Sequence, residues 1–487
     1  MASSQEPIAS HRRPLTDSTS ETRQSASEYD PYHLTPEGIK EPPQGLRSSL
    51  RYLGPGLILS ASIVGSGELV VTTTLGAEAG FALLWLVIIS TLVKVAVQVE
   101  LARWTISTGQ PALTGYNKVP PKLGRIGWIN LVWICLALPK QLLLGGIVGG
   151  VAIACSLLFP IAGPPLGFAS TSIWTGIIVV FTIGLLYSNR YRMVELGSVA
   201  LVVTFAALTI ALAVGLPFTP FAYSADDVLS GLSFQIPAGA LGAAVAMFGI
   251  TGVGADEITY YTYWCAEKGY ARWAGPPDGS EEWARRANGW IKVMQKDAWL
   301  SWAVYTFSTF AFYLMGASVL HPQGLVPGGS NEMITTLSHI YTDVLGEWAS
   351  IGFLIAAIAV LMSTLFANLP SWSRMYTNFL AIVGVFDWKH TQTRTRWIRI
   401  FTVALPILWG AMYLFIQAPV LMIQIAGILT GVLLMAIVVA VWYLRRVEID
   451  HRLRGGSLFS VSLVVSSIAI LVLGAYSVLE VFGFTLA

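Results

Sequence analysis

Two segments of the chain combine glycine with carboxylates in apolar surroundings: Val64-Gly65-Ser66-Gly67-Glu68-Leu69 and Val253-Gly254-Ala255-Asp256-Glu257-Ile258. Glu68, Asp256 and Glu257 can offer hard oxygen ligands to a cation. The six histidines, His11, His33, His321, His339, His390 and His451, all fall in the tail or in loops, so a site at membrane depth must use oxygen. Cys135, Cys155 and Cys265 form neither a disulfide framework nor a thiolate cluster and read as packing residues. No Ser/His or Cys/His pair lies at depth and no nucleotide-binding loop is present, which argues against an enzyme, against ATP coupling and against a resident cofactor.

Two lysines complicate the charge of such a site. Lys94 sits near the middle of an apolar stretch, about 18 Å from either end at 1.5 Å per residue, too deep to reach headgroups. It either bridges to Glu100 or to unwound backbone carbonyls, or it neutralises Glu68 or itself occupies a cation position. Lys140, after Pro139, invites the same two readings. If both face the site, a dication fits poorly and a zwitterionic or anionic organic solute is favoured, its carboxylate held by half-helix N-termini.

The elements that position these residues are membrane spans. Hydrophobic residues are 54% of the 487 and charged residues 11%, and mean hydropathy is +0.65, far from a soluble domain. Apolar stretches long enough to cross a bilayer run near 53–75, 81–105, 127–159, 171–187, 193–216, 239–264, 297–320, 348–376, 398–416, 419–444 and 457–483, eleven in all. Lys and Arg gather in the tail and in alternate loops, which predicts a cytoplasmic N-terminus and an extracytoplasmic C-terminus in an inner or plasma membrane. Residues 1–48, rich in Ser, Thr, Glu and Pro, read as a disordered cytoplasmic tail without a signal-peptide core. Residues 280–296 predict an amphipathic helix on the cytoplasmic surface, and 331–345 an outer one.

The pattern V-G-x-x-E recurs five spans apart, so the second copy enters the membrane inverted. A first repeat over 49–216 and a second over 217–444 follow, with an eleventh helix in 445–487. A carboxylate at the centre of a span costs roughly 2.5–3.5 kcal/mol on insertion scales. Three of them beside paired glycine breaks describe a solvated cavity rather than a structural network.

In these motifs the chain resembles the natural resistance-associated macrophage protein (Nramp) family of divalent metal transporters from residue 50 to 487. Gly54-Pro55-Gly56 opens span 1 as in that family, Gly80-Phe81 through Leu84-Trp85 opens span 2, and Leu157-Leu158-Phe159 closes span 3. Asn189-Arg190-Tyr191 links spans 4 and 5, and Gln424 stands where the family has a glutamine near the metal. The resemblance implies an all-α fold, a leucine-transporter-like inverted repeat of five plus five helices with one extra and with broken helices 1 and 6.

The departures are as informative. The family's Asp-Pro-Gly-Asn stands here as Gly65-Ser66-Gly67-Glu68 and its Met-Pro-His-Asn as Gly254-Ala255-Asp256-Glu257. Loss of the thioether removes the soft ligand, and loss of two side chains should widen the site, which suits a partly hydrated Mg²⁺ and admits Mn²⁺. In this it is similar to the Nramp-related magnesium transporters. Carried over from Leu157-Leu158-Phe159, the family's acidic proton-pathway positions fall on Leu144 and Ile147, which implies that proton coupling is absent.

The site expected from the sequence is therefore Gly65, Ser66, Gly67, Glu68, Gly254, Ala255, Asp256, Glu257 and Gln424, with Glu68, Asp256 and Glu257 as metal ligands and Lys94 and Lys140 tuning its charge. The expected partners are a divalent metal ion and the lipid bilayer, with neither nucleic acid nor ATP. An amino-acid-like solute on the same fold, or a membrane sensor that binds without transporting, are the competing readings.

Overall fold

The computed structural model describes residues 30–187, 191–237, 241–328 and 332–481, without the side chains at 66, 67, 191–202 and 241–243 and a few others. The link Asn189-Arg190 lies outside these residues. Among the described residues nine helices are long and apolar enough to cross a membrane. They expose large apolar side chains outward, among them Val180, Phe181 and Phe415, as a lipid-facing surface requires. The two other expected spans are present as Tyr191–Gly215 and as a helix in two pieces.

The first helix, α1, runs Pro55–Ala79, and its middle, Val64–Thr72, is wound as a π-helix. Helices α2 (Leu84–Thr108), α3 (Trp128–Ala137 and Leu142–Leu158, kinked at the 3₁₀ turn Pro139–Gln141), α4 (Phe168–Tyr187) and α5 (Tyr191–Gly215) complete the first half. The sixth is interrupted: α6a spans Leu241–Ile250 and α6b Ala255–Lys268. Then come α7 (Glu281–Met315), α8 (Ala349–Val383), α9 (Thr391–Ile416), α10 (Pro419–Val447) and α11 (Ser457–Val481). The interrupted helices lie in the middle: α1 packs on α7 and α8, α6a on α10, and α6b on α2.

Glycine stands at both interruptions. In α1 a Cβ at Gly65 would stand 2.2 Å from Thr364 Oγ1 and 2.4 Å from Val360 O of α8, so only glycine allows this approach. In α6, Gly252 adopts φ +67°, a left-handed value that other residues rarely take, and the helix stops there.

Several expectations are corrected. Residues 280–296 do not form a separate surface helix. Ser280 does cap the helix, its Oγ accepting from Trp283 N–H at 3.0 Å, but the helix continues without a breaker into the membrane span. Trp283 and Trp290 are buried rather than turned to lipid, and Trp290 packs against Tyr52, Tyr270 and Trp273. The part of 1–48 that is described is docked, because its few charged and aromatic residues find partners. Asp30 pairs with Arg394 (2.7 Å), Tyr32 donates to Glu267 (2.9 Å) and Glu41 pairs with Arg285 (2.8 Å). The second amphipathic helix, expected over 331–345, is present as Met333–Leu345, with Met333, Leu337, Ile340 and Tyr341 buried as its spacing predicts.

Candidate functional site

Where α6 breaks, two backbone groups lose each other. In a continuous helix Gly252 N–H would bond Phe248 O. Here Gly252 N–H donates to Glu68 Oε1 at 3.1 Å, and Phe248 O accepts from Lys94 Nζ at 2.5 Å. Lys94 also donates to Thr251 O at 2.6 Å and lies 4.9 Å from the Phe248 ring centre. The last carbonyls of a helix carry its negative dipole end, so an ammonium is well placed there. Of the readings offered for Lys94, the unwound carbonyls are its bonding partners. Glu100 is not: it pairs with Arg103 (2.8 Å) and Arg445 (2.5 Å). Lys94 and Glu68 meet at the same break, Lys94 on the carbonyls of Phe248 and Thr251 and Glu68 on Gly252 N–H.

Glu68, fully buried, is turned toward the α6 junction by the wide π turn, and its Oε2 accepts from Thr72 Oγ1 at 2.8 Å. Asp256 and Glu257 stand in the first turn of α6b, where carboxylates complement the positive end of the helix. Asp256 Oδ2 is 2.5 Å from Lys140 Nζ, both side chains almost entirely buried, while its Oδ1 has no hydrogen-bond partner among the described residues. Lys140 reaches it because the kink at Pro139 turns α3 inward.

The Tyr260 hydroxyl lies 2.8 Å from Ser62 Oγ and 3.3 Å from Glu257 Oε1, so its single proton serves one of them at a time. Asn368 Nδ2 donates to the same Ser62 Oγ at 2.7 Å, and Asn368 Oδ1 is buried without a hydrogen-bond partner among the described residues. Thr364 Oγ1 donates to Ser62 O at 3.2 Å. These bonds latch α1 and α6b onto α8 around the carboxylates. At the tail side Asp297 of α7 accepts from Gly54 N–H (2.8 Å), Gly56 N–H (2.6 Å) and Tyr261 O–H (2.9 Å), capping α1 and holding α6b to it.

Two site expectations are corrected. Among the described residues no group of three His, Cys, Asp or Glu side chains could hold a metal ion, so Glu68, Asp256 and Glu257 do not converge as one cluster. The reason is that each is held by a different partner: Glu68 by Thr72 and Gly252, Asp256 by Lys140, Glu257 by Tyr260. The site is also not widened by its glycines. Space beside Gly65 is filled by α8, and a Cβ at Gly254 would stand 2.7 Å from Glu257 Oε2 and 3.0 Å from Thr430 Cγ2.

Of the other expected residues, Ala255 is buried at the start of α6b and Gln424 is half-buried on α10. Ser66 and Gly67 lie within the π turn, but beyond this they fall outside the description. Tyr260, Ser62 and Asn368 were missed, although each carried a signal. Tyr260 stands one helical turn after Glu257, Ser62 one turn before Ser66, and Asn368 is an amide in an otherwise apolar span, where an unsatisfied polar group is costly.

Residues 56–480 match the family model described as natural resistance-associated macrophage protein-like. The chain is 28% identical over 318 residues to the divalent metal cation transporter MntH of Acidiphilium cryptum, covering 65% of this chain and 66% of that one. It is 29% identical over 217 residues to the metal transporter Nramp6.2 of Populus trichocarpa, covering 42% and 35%. The matched stretches thus span between about a third and just under two thirds of these relatives, which are named as transporters and not as enzymes. The fold is that of the Eremococcus coleocola manganese transporter solved with an aromatic bis-isothiourea compound, with a TM-score of 0.61 at 16% identity over 93% of each chain. It is the leucine-transporter-like inverted repeat of a multi-pass membrane protein, and with the family model matched from residue 56 to residue 480 the chain belongs to the Nramp family.

Proposed function

We propose that this chain carries divalent metal cations across a cell membrane by alternating access, favouring Mg²⁺ with Mn²⁺ next, without obligatory proton transfer. The observation that carries the reading is the placement of Glu68 at the π turn of α1 and of Asp256 and Glu257 at the start of α6b, on either side of the broken backbone of α6. The names of the relatives support metal as cargo. The donor set supports a hard ion, since it is made of carboxylate, hydroxyl and carbonyl oxygen with no thioether at Gly254.

Glu68 and Asp256 are closed off from solvent, so a cation reaches them only when α1 and α6b part from α8. That opening breaks the bonds from Asn368 and Thr364 to Ser62. The entering ion takes carboxylate oxygen in exchange for the hydroxyl and N–H donors that hold Glu68. Leu144 and Ile147 are buried apolar residues with nothing to titrate, which supports charge movement driven by membrane potential and unaccompanied by protons along α3. The tail side, with its excess of Lys and Arg, is taken as cytoplasmic.

A second reading has one specific observation in its favour. The Lys140–Asp256 pair and the nearby Lys94 leave the three carboxylates with a single formal excess negative charge, which favours a zwitterionic solute over a dication. Proteoliposome uptake of Mg²⁺, Mn²⁺, Ca²⁺ and several amino acids separates the two. Uptake of amino acids with no divalent flux would overturn the metal reading.

A further inference from the structure

Lys94 is wholly buried, and its ammonium is hydrogen-bonded to no carboxylate among the described residues. It is bonded to Phe248 O at 2.5 Å and Thr251 O at 2.6 Å, the free carbonyls at the end of α6a, and it lies 4.9 Å from the Phe248 ring centre. Carbonyl oxygens at the C-terminal end of a half-helix, beside a carboxylate, are the donor set with which broken-helix transporters coordinate Na⁺. In this chain Glu68 supplies that carboxylate by bonding Gly252 N–H across the same break.

We propose that the α6 junction is a monovalent-cation site whose cation is built into the protein as the ε-ammonium of Lys94. The ammonium satisfies the two carbonyls and balances Glu68 through the whole cycle, so no soluble Na⁺ or K⁺ has to bind there and none is carried by this route. Cutting the ammonium away turns the junction into a site for a free alkali cation. The inference rests on reading the chain as a transporter of this fold, and not on which solute it carries.

The test uses full-length protein in detergent with EDTA present, its thermal midpoint followed as NaCl or KCl replaces choline chloride at constant ionic strength. Lys94→Met matches the lysine stem in length as far as Cε, with sulfur in place of Cδ, and lacks the ammonium, leaving room for one small ion between the carbonyls. Its midpoint in choline is expected to fall below wild type and to recover saturably by about 2 °C or more in Na⁺ or K⁺. Wild type is expected to be flat, and Lys94→Ala, which leaves a larger opening, to respond as Lys94→Met does. A variant that purifies only in Na⁺ is dialysed into choline, where loss of the midpoint gain supports the proposal and an unchanged midpoint overturns it. Folded variants indifferent to both cations would overturn it. So would a wild-type midpoint that depends on Na⁺ or K⁺, an arm that needs no variant. Because divalent ions are chelated throughout, absence of Mg²⁺ or Mn²⁺ uptake in a separate assay would count against the metal reading alone.

Discussion

Lys140 Nζ lies 2.5 Å from Asp256 Oδ2, with both side chains almost completely buried. The pair joins the kink of α3 to the first turn of α6b. A charge left alone in such a place costs far more than the intact pair contributes, since its desolvation is no longer offset. Lys140→Met is therefore expected to destabilise the protein by about 3–5 kcal/mol, seen as a lower thermal midpoint in detergent. Lys140→Met combined with Asp256→Asn should recover most of that loss. A single variant as stable as wild type would show that the pair is solvated or absent.

At Gly65 the backbone of α1 lies directly against α8. The methyl group of Gly65→Ala would meet Val360 O and Thr364 Oγ1 at under 2.5 Å, so the helices must move apart at a cost of about 1–3 kcal/mol. A lower midpoint and slower uptake at saturating metal are expected. Uptake at the wild-type rate would mean that α1 does not seat against α8 during the cycle.

The carboxylates and paired glycines were legible in the sequence because a charge in an apolar span is expensive and V-G-x-x-E occurs twice. The spans were legible from hydropathy. For Lys94 the sequence offered the unwound carbonyls beside other partners and did not choose between them, because a backbone carbonyl freed by a broken helix has no side-chain signature. The partner of Lys140 is 116 residues away, and only the kink at Pro139 brings it to Asp256. Gly65 and Gly254 looked like vacated ligand positions, yet neighbouring atoms fill both spaces. The surface helix at 280–296 was misjudged for a related reason: periodicity shows one apolar face without showing what covers it.

Asp450, in the link between α10 and α11, accepts from Arg452 Nη2 at 2.6 Å, and Arg452 also donates to Glu281 Oε1 at 2.9 Å at the start of α7. The guanidinium beside it pulls the Asp450 carboxyl down to about 2. A carboxyl lowered in the folded state contributes stability that is fully present above the ordinary aspartate value, about 3.9, and is lost as pH falls through the folded one. The midpoint difference between wild type and Asp450→Asn is expected to shrink between about pH 4 and pH 2. A difference that does not change across that window would mean the contact is unformed in solution.

Asp226 and Arg285 are both exposed, and the charge asymmetry predicts that they lie on opposite sides of the membrane. With the exposed Cys135 replaced, a cysteine at Asp226 should react with an impermeant reagent on intact cells, and one at Arg285 only after permeabilisation. The reverse pattern would invert the orientation.

The central claim is that Glu68 binds the transported cation and that no proton moves with it. It is tested most directly by Mg²⁺ uptake into proteoliposomes under an imposed inside-negative potential, with a pH dye trapped inside. Wild type is expected to take up Mg²⁺ faster as the potential rises, with no change in internal pH. Glu68→Gln, which keeps the shape and loses the charge, is expected to reduce uptake by about tenfold or more, the equivalent of about 1.4 kcal/mol. Internal acidification that accompanies Mg²⁺ entry and disappears with it in Glu68→Gln, or uptake unaffected by that substitution, would contradict the account.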